Sequence, residues 1–192
     1  MFRFVRPGPR ALAAFVAEQA TRPFSYAAVG ATRGAAAPPG YVVDHNRALV
    51  GGGAADFARA VAALRAWRMF AVGWCALYPA AAPVAVGTTV AVVARHFGFW
   101  SANASRVVYT LDEERDGVRR VGFAYGTLPG HGARGEERFV VEWDRADDRV
   151  WYDLYAFSRP AHPLARLGRP LARALQRRFA RDSKRAMVGA VR

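Results

Sequence analysis

The sequence predicts an α+β fold: a curved antiparallel sheet packed on a long C-terminal helix, with smaller helices closing one end. Two periodicities and one composition carry that expectation. From Val84 to Phe157 the chain runs in stretches that alternate with the two-residue period of strands, joined by short turns such as "DEERDG" (Asp112–Gly117) and "DRADD" (Asp144–Asp148). Short turns between successive strands make neighbours antiparallel. Farther on, Leu164, Leu167, Leu171, Leu175 and Phe179 recur at helical spacing and form one apolar stripe. A chain of 192 residues with 53% apolar and 12% aromatic content can bury a sizeable core and is not a disordered one. The helix stripe needs a partner, and the apolar face of the sheet offers one.

In chain order, Ala11–Ala20 reads as a short helix and Pro23–Gly34 as a short strand. Ala35–Tyr41 is a loop, because Pro-Pro-Gly continues neither regular element. Tyr41–Gly51 reads as a strand. Ala54–Arg68 is an amphipathic helix, with Phe57, Val61, Leu64 and Trp67 at helical spacing. Asp56 lies in its first turn, where an acid suits the positive end of the helix dipole. Gly51–Gly53 lacks the spacing of a phosphate-binding loop and reads as a flexible strand-to-helix turn. Strands are then expected at Val84–Phe97, Ser105–Asp112, Val118–Thr127, Glu136–Asp144 and Val150–Phe157. In the tail helix Arg166, Arg169, Arg173 and Arg177 lie off the stripe, and Pro170 either kinks the helix or marks its start. Residues 1–192 are expected to form a single domain, with 1–22 a helical extension and 23–188 the sheet and its helix.

Composition narrows the function classes. The net charge is +13, and 27 of the 28 basic residues are Arg, a bias that fits a GC-rich bacterial genome. Residues 1–158 hold 18 basic and 14 acidic groups, whereas residues 159–192 hold 10 basic groups and Asp182 alone. The excess therefore sits on the tail helix. A basic helix without a reader motif is a weak nucleic-acid signal, so no nucleic acid is expected, while peripheral contact with an anionic membrane stays open. The single cysteine, Cys75, fits a reducing, cytoplasmic setting; its apolar neighbours make it inert. No metal-ligand spacing occurs, so neither metal nor cofactor is expected. Met69–Ala94 has 26 residues without a charge, but its prolines and its β-branched second half argue for a loop between buried segments, not a membrane span. The short apolar run Ala11–Ala17 stops at Glu18 and does not read as a signal peptide. The assembly is expected to be a monomer or homodimer.

Several segments carry a family resemblance: "YAAVGATRG", "ALRAWRMFAVGW", "VGTTVAVVARHFGFW", "SRVVYTLDEE", "FAYGTLPGHGARGEERFVVEW", "VWYDLYAFSRP" and "RPLARALQRRFARDSKRAM". From about Tyr26 to Met187 the chain resembles the uncharacterised family called domain of unknown function 1990. That family is similar to the START-like, helix-grip proteins, which include plant pathogenesis allergens and polyketide cyclases. The resemblance implies a hydrophobic cavity between sheet and long helix. It implies no activity, because one fold hosts many functions.

Strand alternation locates a candidate site at the end of that cavity. In Glu136–Trp143 one face carries Glu137, Phe139, Val141 and Trp143, and the other Glu136, Arg138, Val140 and Glu142. Glu137 thus shares its side with large apolar groups and must be paired, hydrogen-bonded or protonated. The preceding strand turns Val121, Phe123, Tyr125 and Thr127 to the cavity and leaves Gly122, Ala124 and Gly126 on a face open to close approach, for instance by a partner subunit. His131 and Arg134 lie on the connecting loop. Trp67 and Trp74 are core or pocket lid.

Three readings of this cluster stand side by side. Glu136 or Glu137 forms a structural ion pair with Arg134 or Arg106. His131 and Glu137 form a general acid/base pair acting on a lipid-like or polyketide-like substrate. Or the cluster anchors the polar end of a small hydrophobic or amphipathic ligand. The ligand-binding set is then Trp100, Asn103, Arg106, Tyr125, Thr127, His131, Arg134, Glu136, Glu137 and Phe139. A fourth reading is an interaction protein working through the arginine face of the tail helix.

Overall fold

The computed structural model describes residues 2–34, 37–96, 98–161 and 169–192. The chain order is β1 (Phe2–Arg3), α1 (Pro9–Ala20), β2 (Val42–Gly52), α2 (Gly53–Arg65), β3 (Cys75–Tyr78), β4 (Thr89–His96), β5 (Phe99–Arg115), β6 (Val118–Thr127), β7 (Ala133–Asp144), β8 (Arg149–Pro160) and α3 (Arg169–Val191), with short 3₁₀ turns at Ala31–Arg33 and Arg68–Phe70. The strands form one eight-stranded sheet in the order β2-β8-β7-β6-β5-β4-β3, with β1 pairing on β5. All pairings are antiparallel.

The meander predicted from Val84 onward is present and the strand predicted at Tyr41–Gly51 is β2, while β1 and β3 widen the sheet beyond the predicted strands. β2 and the four-residue β3 close its two edges. The predicted strand Val84–Phe97 begins only at Thr89, because Pro83 and a turn at Gly87 (φ 88°) precede it; Phe97 lies outside the described residues. β5 starts at Phe99, six residues earlier than predicted, so "FWSANAS" is strand. Pro23–Gly34 is not a strand. It is irregular chain with one 3₁₀ turn, and it lies on the outer face of β6, β7 and β8.

The register assembles the inner face. Tyr125, Glu137, Ala156 and Asp44 are paired in one row across β6, β7, β8 and β2. The next row is Phe123, Phe139, Leu154 and Asn46. These rows meet α2, the Arg68–Phe70 turn and α3. Phe70 is the hub: its ring lies 5.9 Å from that of Phe139, 5.1 Å from Phe179 on α3 and 6.3 Å from Tyr125. Trp67 is buried core, its ring 4.7 Å from Phe123 and its indole N–H donating to the Ala82 carbonyl at 2.8 Å.

The α3 stripe differs from the predicted one. Leu164, Leu167 and Arg166 lie outside the described residues, and Leu171 is 45% exposed. Of the predicted stripe Leu175 and Phe179 are half-buried, and the face continues through the buried Ala180, Ser183, Met187 and Val191, with Ser183 Oγ 2.9 Å from Tyr152 Oη of β8. Arg173 does not point into solvent; both of its terminal nitrogens bond the Asp44 carboxylate of β2. A sheet curled around one C-terminal helix in this way is the helix-grip arrangement.

The strand-to-helix glycines have their own partner. Asp56 Oδ2 accepts from the Gly52 N–H at 2.8 Å, and Gly53 adopts φ 77°. The place an anion would occupy is filled by the chain's own carboxylate.

Candidate functional site

Between the inner face of the sheet and α3 lies a cavity of about 220 Å³. Phe70, Val92, Leu154, Leu175 and Phe179 give it apolar walls. Its polar groups include Glu137 and Tyr125 on the central strands, Asp44 and Asn46 on β2, His131 on the β6–β7 loop, His96 with Asn103 on β4 and β5, Ser158 on β8, and Gln176 with Arg177 on α3.

The adjacent glutamates of the "GEE" stretch end in opposite environments, because neighbouring strand residues face opposite sides. Glu136 is 2% exposed and its carboxylate faces the outer side. Tyr26 Oη and the Gly30 N–H donate to one oxygen at 2.5 and 2.7 Å; the Thr32 N–H donates to the other at 2.9 Å, with the Thr32 hydroxyl on the same oxygen. Gly126, its neighbour across the strands, leaves room for this, since a Cβ there would strike the Tyr26 hydroxyl. At Gly126 the small-residue face of β6 is therefore covered by Tyr26 of the chain's own Ser25–Gly34 segment. Neither glutamate bonds Arg134 or Arg106 among the described residues. Arg106 caps α1, donating to the carbonyls of Gln19, Ala20 and Arg22.

Glu137 faces the cavity. Tyr125 Oη donates to it at 2.7 Å and is its one donor among the described residues. Burial pushes the Glu137 carboxyl up to about 7; the Tyr125 hydrogen bond opposes the rise and the nearby Asp44 carboxylate adds to it. Burial and Glu137 together hold the Tyr125 hydroxyl well above the usual phenol range. His131 is shifted the other way: burial lowers its imidazole to about 4, and its Nδ1 accepts the Ala133 N–H at 2.9 Å. At neutral pH it is a neutral ring, with its proton on Nε2.

The far end of the cavity has a polar cluster the sequence reading did not join. Ser101 Oγ lies 2.8 Å from His96 Nε2 and accepts from Asn103 Nδ2 at 3.0 Å, while Asn103 Oδ1 accepts from the Gly132 N–H at 3.2 Å. His96, lowered mainly by burial, has its Nδ1 buried without a partner. Trp74 forms the adjacent wall; its indole N–H donates to Asp182 at 3.1 Å, and Arg178 stacks 4.8 Å from its ring centroid. Cys75 also borders the cavity, and burial pushes its thiol up to about 12, which keeps it protonated.

Of the residues singled out from the sequence, Asn103, Tyr125, Thr127, His131, Glu136 and Glu137 border the cavity, Glu136 with its carboxylate turned away. Thr127 is locked by Ser25 Oγ at 2.7 Å and the Gly135 N–H at 3.0 Å. Phe139 is fully buried core, Trp100 packs on the outer face against Leu12, and Arg134 is exposed. Asp44, Asn46 and His96 were missed. The alternation in "YVVDHNRALVG" puts Asp44 and Asn46 on one face; what it cannot show is that β2 pairs with β8.

A family model described as "Domain of unknown function (DUF1990)" matches residues 25–186. The UPF0548 protein of Deinococcus radiodurans is 43% identical over 202 residues, covering 99% of this chain and 98% of that protein. The UPF0548 protein of the eukaryote Dictyostelium discoideum is 34% identical over 207 residues, covering 100% and 96%, so such chains are not confined to bacteria. Among solved structures, the hypothetical protein jhp0584 from Helicobacter pylori superposes with a TM-score of 0.53 at 16% identity, over 80% of this chain and 91% of that one. At that identity the likeness is one of fold alone.

Proposed function

The chain belongs to the domain of unknown function (DUF1990) family, and we propose that within it this protein binds one small amphipathic molecule between the sheet and α3. One contrast supports the reading. Glu136 receives four donors and is complete, whereas Glu137, next in sequence, has the Tyr125 hydroxyl alone and faces an apolar cavity. A carboxylate accepts about four hydrogen bonds, so Glu137 has capacity left for a ligand's polar end, while Phe70, Leu154, Leu175 and Phe179 take its apolar body. At about 220 Å³ the space is smaller than the roughly 300–1,000 Å³ of common ligand pockets. It therefore suits a compact molecule. Burial of apolar surface drives such binding, and the few polar groups orient it.

The test is native mass spectrometry of the purified chain, with analysis of what denaturation releases, beside a thermal-shift screen of small amphipathic compounds. A compound held one-to-one by the parent and lost from Ala156→Phe, which fills the row beside Glu137, supports the reading. Equal retention by Ala156→Phe, or no shift from any compound, overturns it.

Opposite displacements of Glu137 and His131 around one cavity favour a second reading, acid/base chemistry on the bound molecule, because a carboxyl poised near neutrality can both give and take a proton. Glu137→Gln separates the two. Under the binding reading it weakens retention modestly; under the second it abolishes turnover while the ligand stays bound.

A further inference from the structure

The end of the sheet beside β1 carries a surface that the cavity does not use. Phe4 is 91% exposed and Val5 78% exposed, the two most exposed large apolar side chains among the described residues. They follow β1, which is pinned to β5 with Phe2 opposite Ser101 and Arg3 opposite Trp100. Arg95 of β4 meets Trp100 from the other side of β5, and the Arg6 guanidinium lies 5.4 Å from the Trp100 ring centroid. Arg3, Arg6 and Arg95 are all exposed, as is Arg10 in the first turn of α1. Residues 1–17 and 57–111 contain no Asp or Glu, so neither segment supplies a carboxylate to offset these charges. Glu18, at the far end of α1, is held by Arg22 at 3.6 Å.

Arginines around a tryptophan, with a phenylalanine and a valine left in solvent, match the chemistry of an anionic bilayer surface. Lipid phosphates take the guanidinium groups, the indole suits the headgroup level, and apolar side chains gain by entering the acyl boundary. A nucleic acid would use the charges but gain nothing from exposed Val5. We propose that this tip docks on anionic membranes, Phe4 and Val5 inserting and Arg3, Arg6, Arg10 and Arg95 meeting lipid phosphates. No helix among the described residues is long and apolar enough to cross a membrane, and this contact needs none. The Ser101 hydroxyl is held by His96 and Asn103 of the cavity wall, so tip and cavity share one end of the sheet. The docking stands without the cavity reading, and its test reads lipid, not retained ligand.

The experiment is flotation of the full chain with vesicles of phosphatidylcholine alone and of phosphatidylcholine with an equal part of phosphatidylglycerol, at low and high salt. The parent is expected to float with the anionic vesicles, and less so at high salt. Phe4→Ser/Val5→Ser should lower the vesicle affinity by roughly tenfold or more, and Arg3→Ser or Arg95→Ser by about fivefold each. Unchanged melting temperatures show that these variants are folded. The proposal is overturned if the parent does not float. It also fails if Phe4→Ser/Val5→Ser floats like the parent while Arg181→Ser/Arg185→Ser on α3 does not, which would place the contact on the helix. Binding to duplex DNA, in place of vesicles, that is lost in the Arg3 and Arg95 variants sinks it as well.

Discussion

Glu136 and Glu137 differ by one position, and a half-turn of strand pleat decides their chemistry. Glu137 and His131 are displaced in opposite directions, so each makes its own mark on the pH dependence of stability. For Glu137 the folded value, about 7, lies above the unfolded 4.5. The folded state then binds more protons in that window, and its contribution is lost as pH rises from 4.5 to 7. For His131 the folded value, about 4, lies below the unfolded 6.5, so its contribution is lost as pH falls from 6.5 to 4. The slopes oppose each other over the shared range. Glu137→Gln should leave a chain whose stability climbs with pH up to about 6.5, and should raise stability at about pH 8 by on the order of 1–3 kcal/mol. His131→Gln should leave the descending limb. Urea titrations at a series of pH values measure both, and parallel profiles in the two variants would contradict the assignment.

At the scale of elements, the Ser25–Gly34 segment is held by a carboxylate, not by strand pairing. Arg138 adds a bond to the Thr32 carbonyl at 3.0 Å, and the Thr32 hydroxyl lies 2.8 Å from Tyr109 Oη. Glu136→Gln keeps the shape but loses the charge on which the donors converge. It is expected to cost about 1.5–3 kcal/mol and to raise amide exchange first at residues 25–34. Gly126→Ala should show the same signature by forcing Tyr26 away, at about 1–3 kcal/mol. Uniform exchange across the sheet in either variant would mean that the segment is not a separate unit. The Arg173–Asp44 pair joins the start of α3 to edge strand β2, and Lys184 donates to Asn46 of the same strand farther along. Arg173→Ala should speed proteolysis near the start of α3 while leaving the exchange of Ser183–Val191 unchanged, because Met187 and Val191 are buried independently of that pair.

Over the whole molecule, the Phe70, Phe123, Phe139 and Trp67 cluster is the keystone of sheet, turn and helix. Phe139 is fully buried, and Phe139→Ala is expected to cost about 3–5 kcal/mol in one cooperative urea transition. A loss under about 1 kcal/mol would mean that the cluster relaxes into the cavity. The meander, α2 and the grip on a C-terminal helix were legible because periodicity is local: strand alternation and helical spacing are properties of adjacent residues. The same alternation set Glu137 and Tyr125 on the inner face. It could not say what each face meets. Pro23–Gly34 has strand-like composition yet forms no ladder, because Glu136 takes the Gly30 and Thr32 N–H groups. Leu171 is apolar and exposed, while Ser183 is polar and buried against Tyr152. The sequence by itself determined which residues share a face. Only the tertiary structure decided that Glu136 is saturated by a distant segment, that Arg173 is taken by Asp44, and that Glu137 is left facing a cavity, because those partners lie far away along the chain and are brought together by the closing of the sheet around α3.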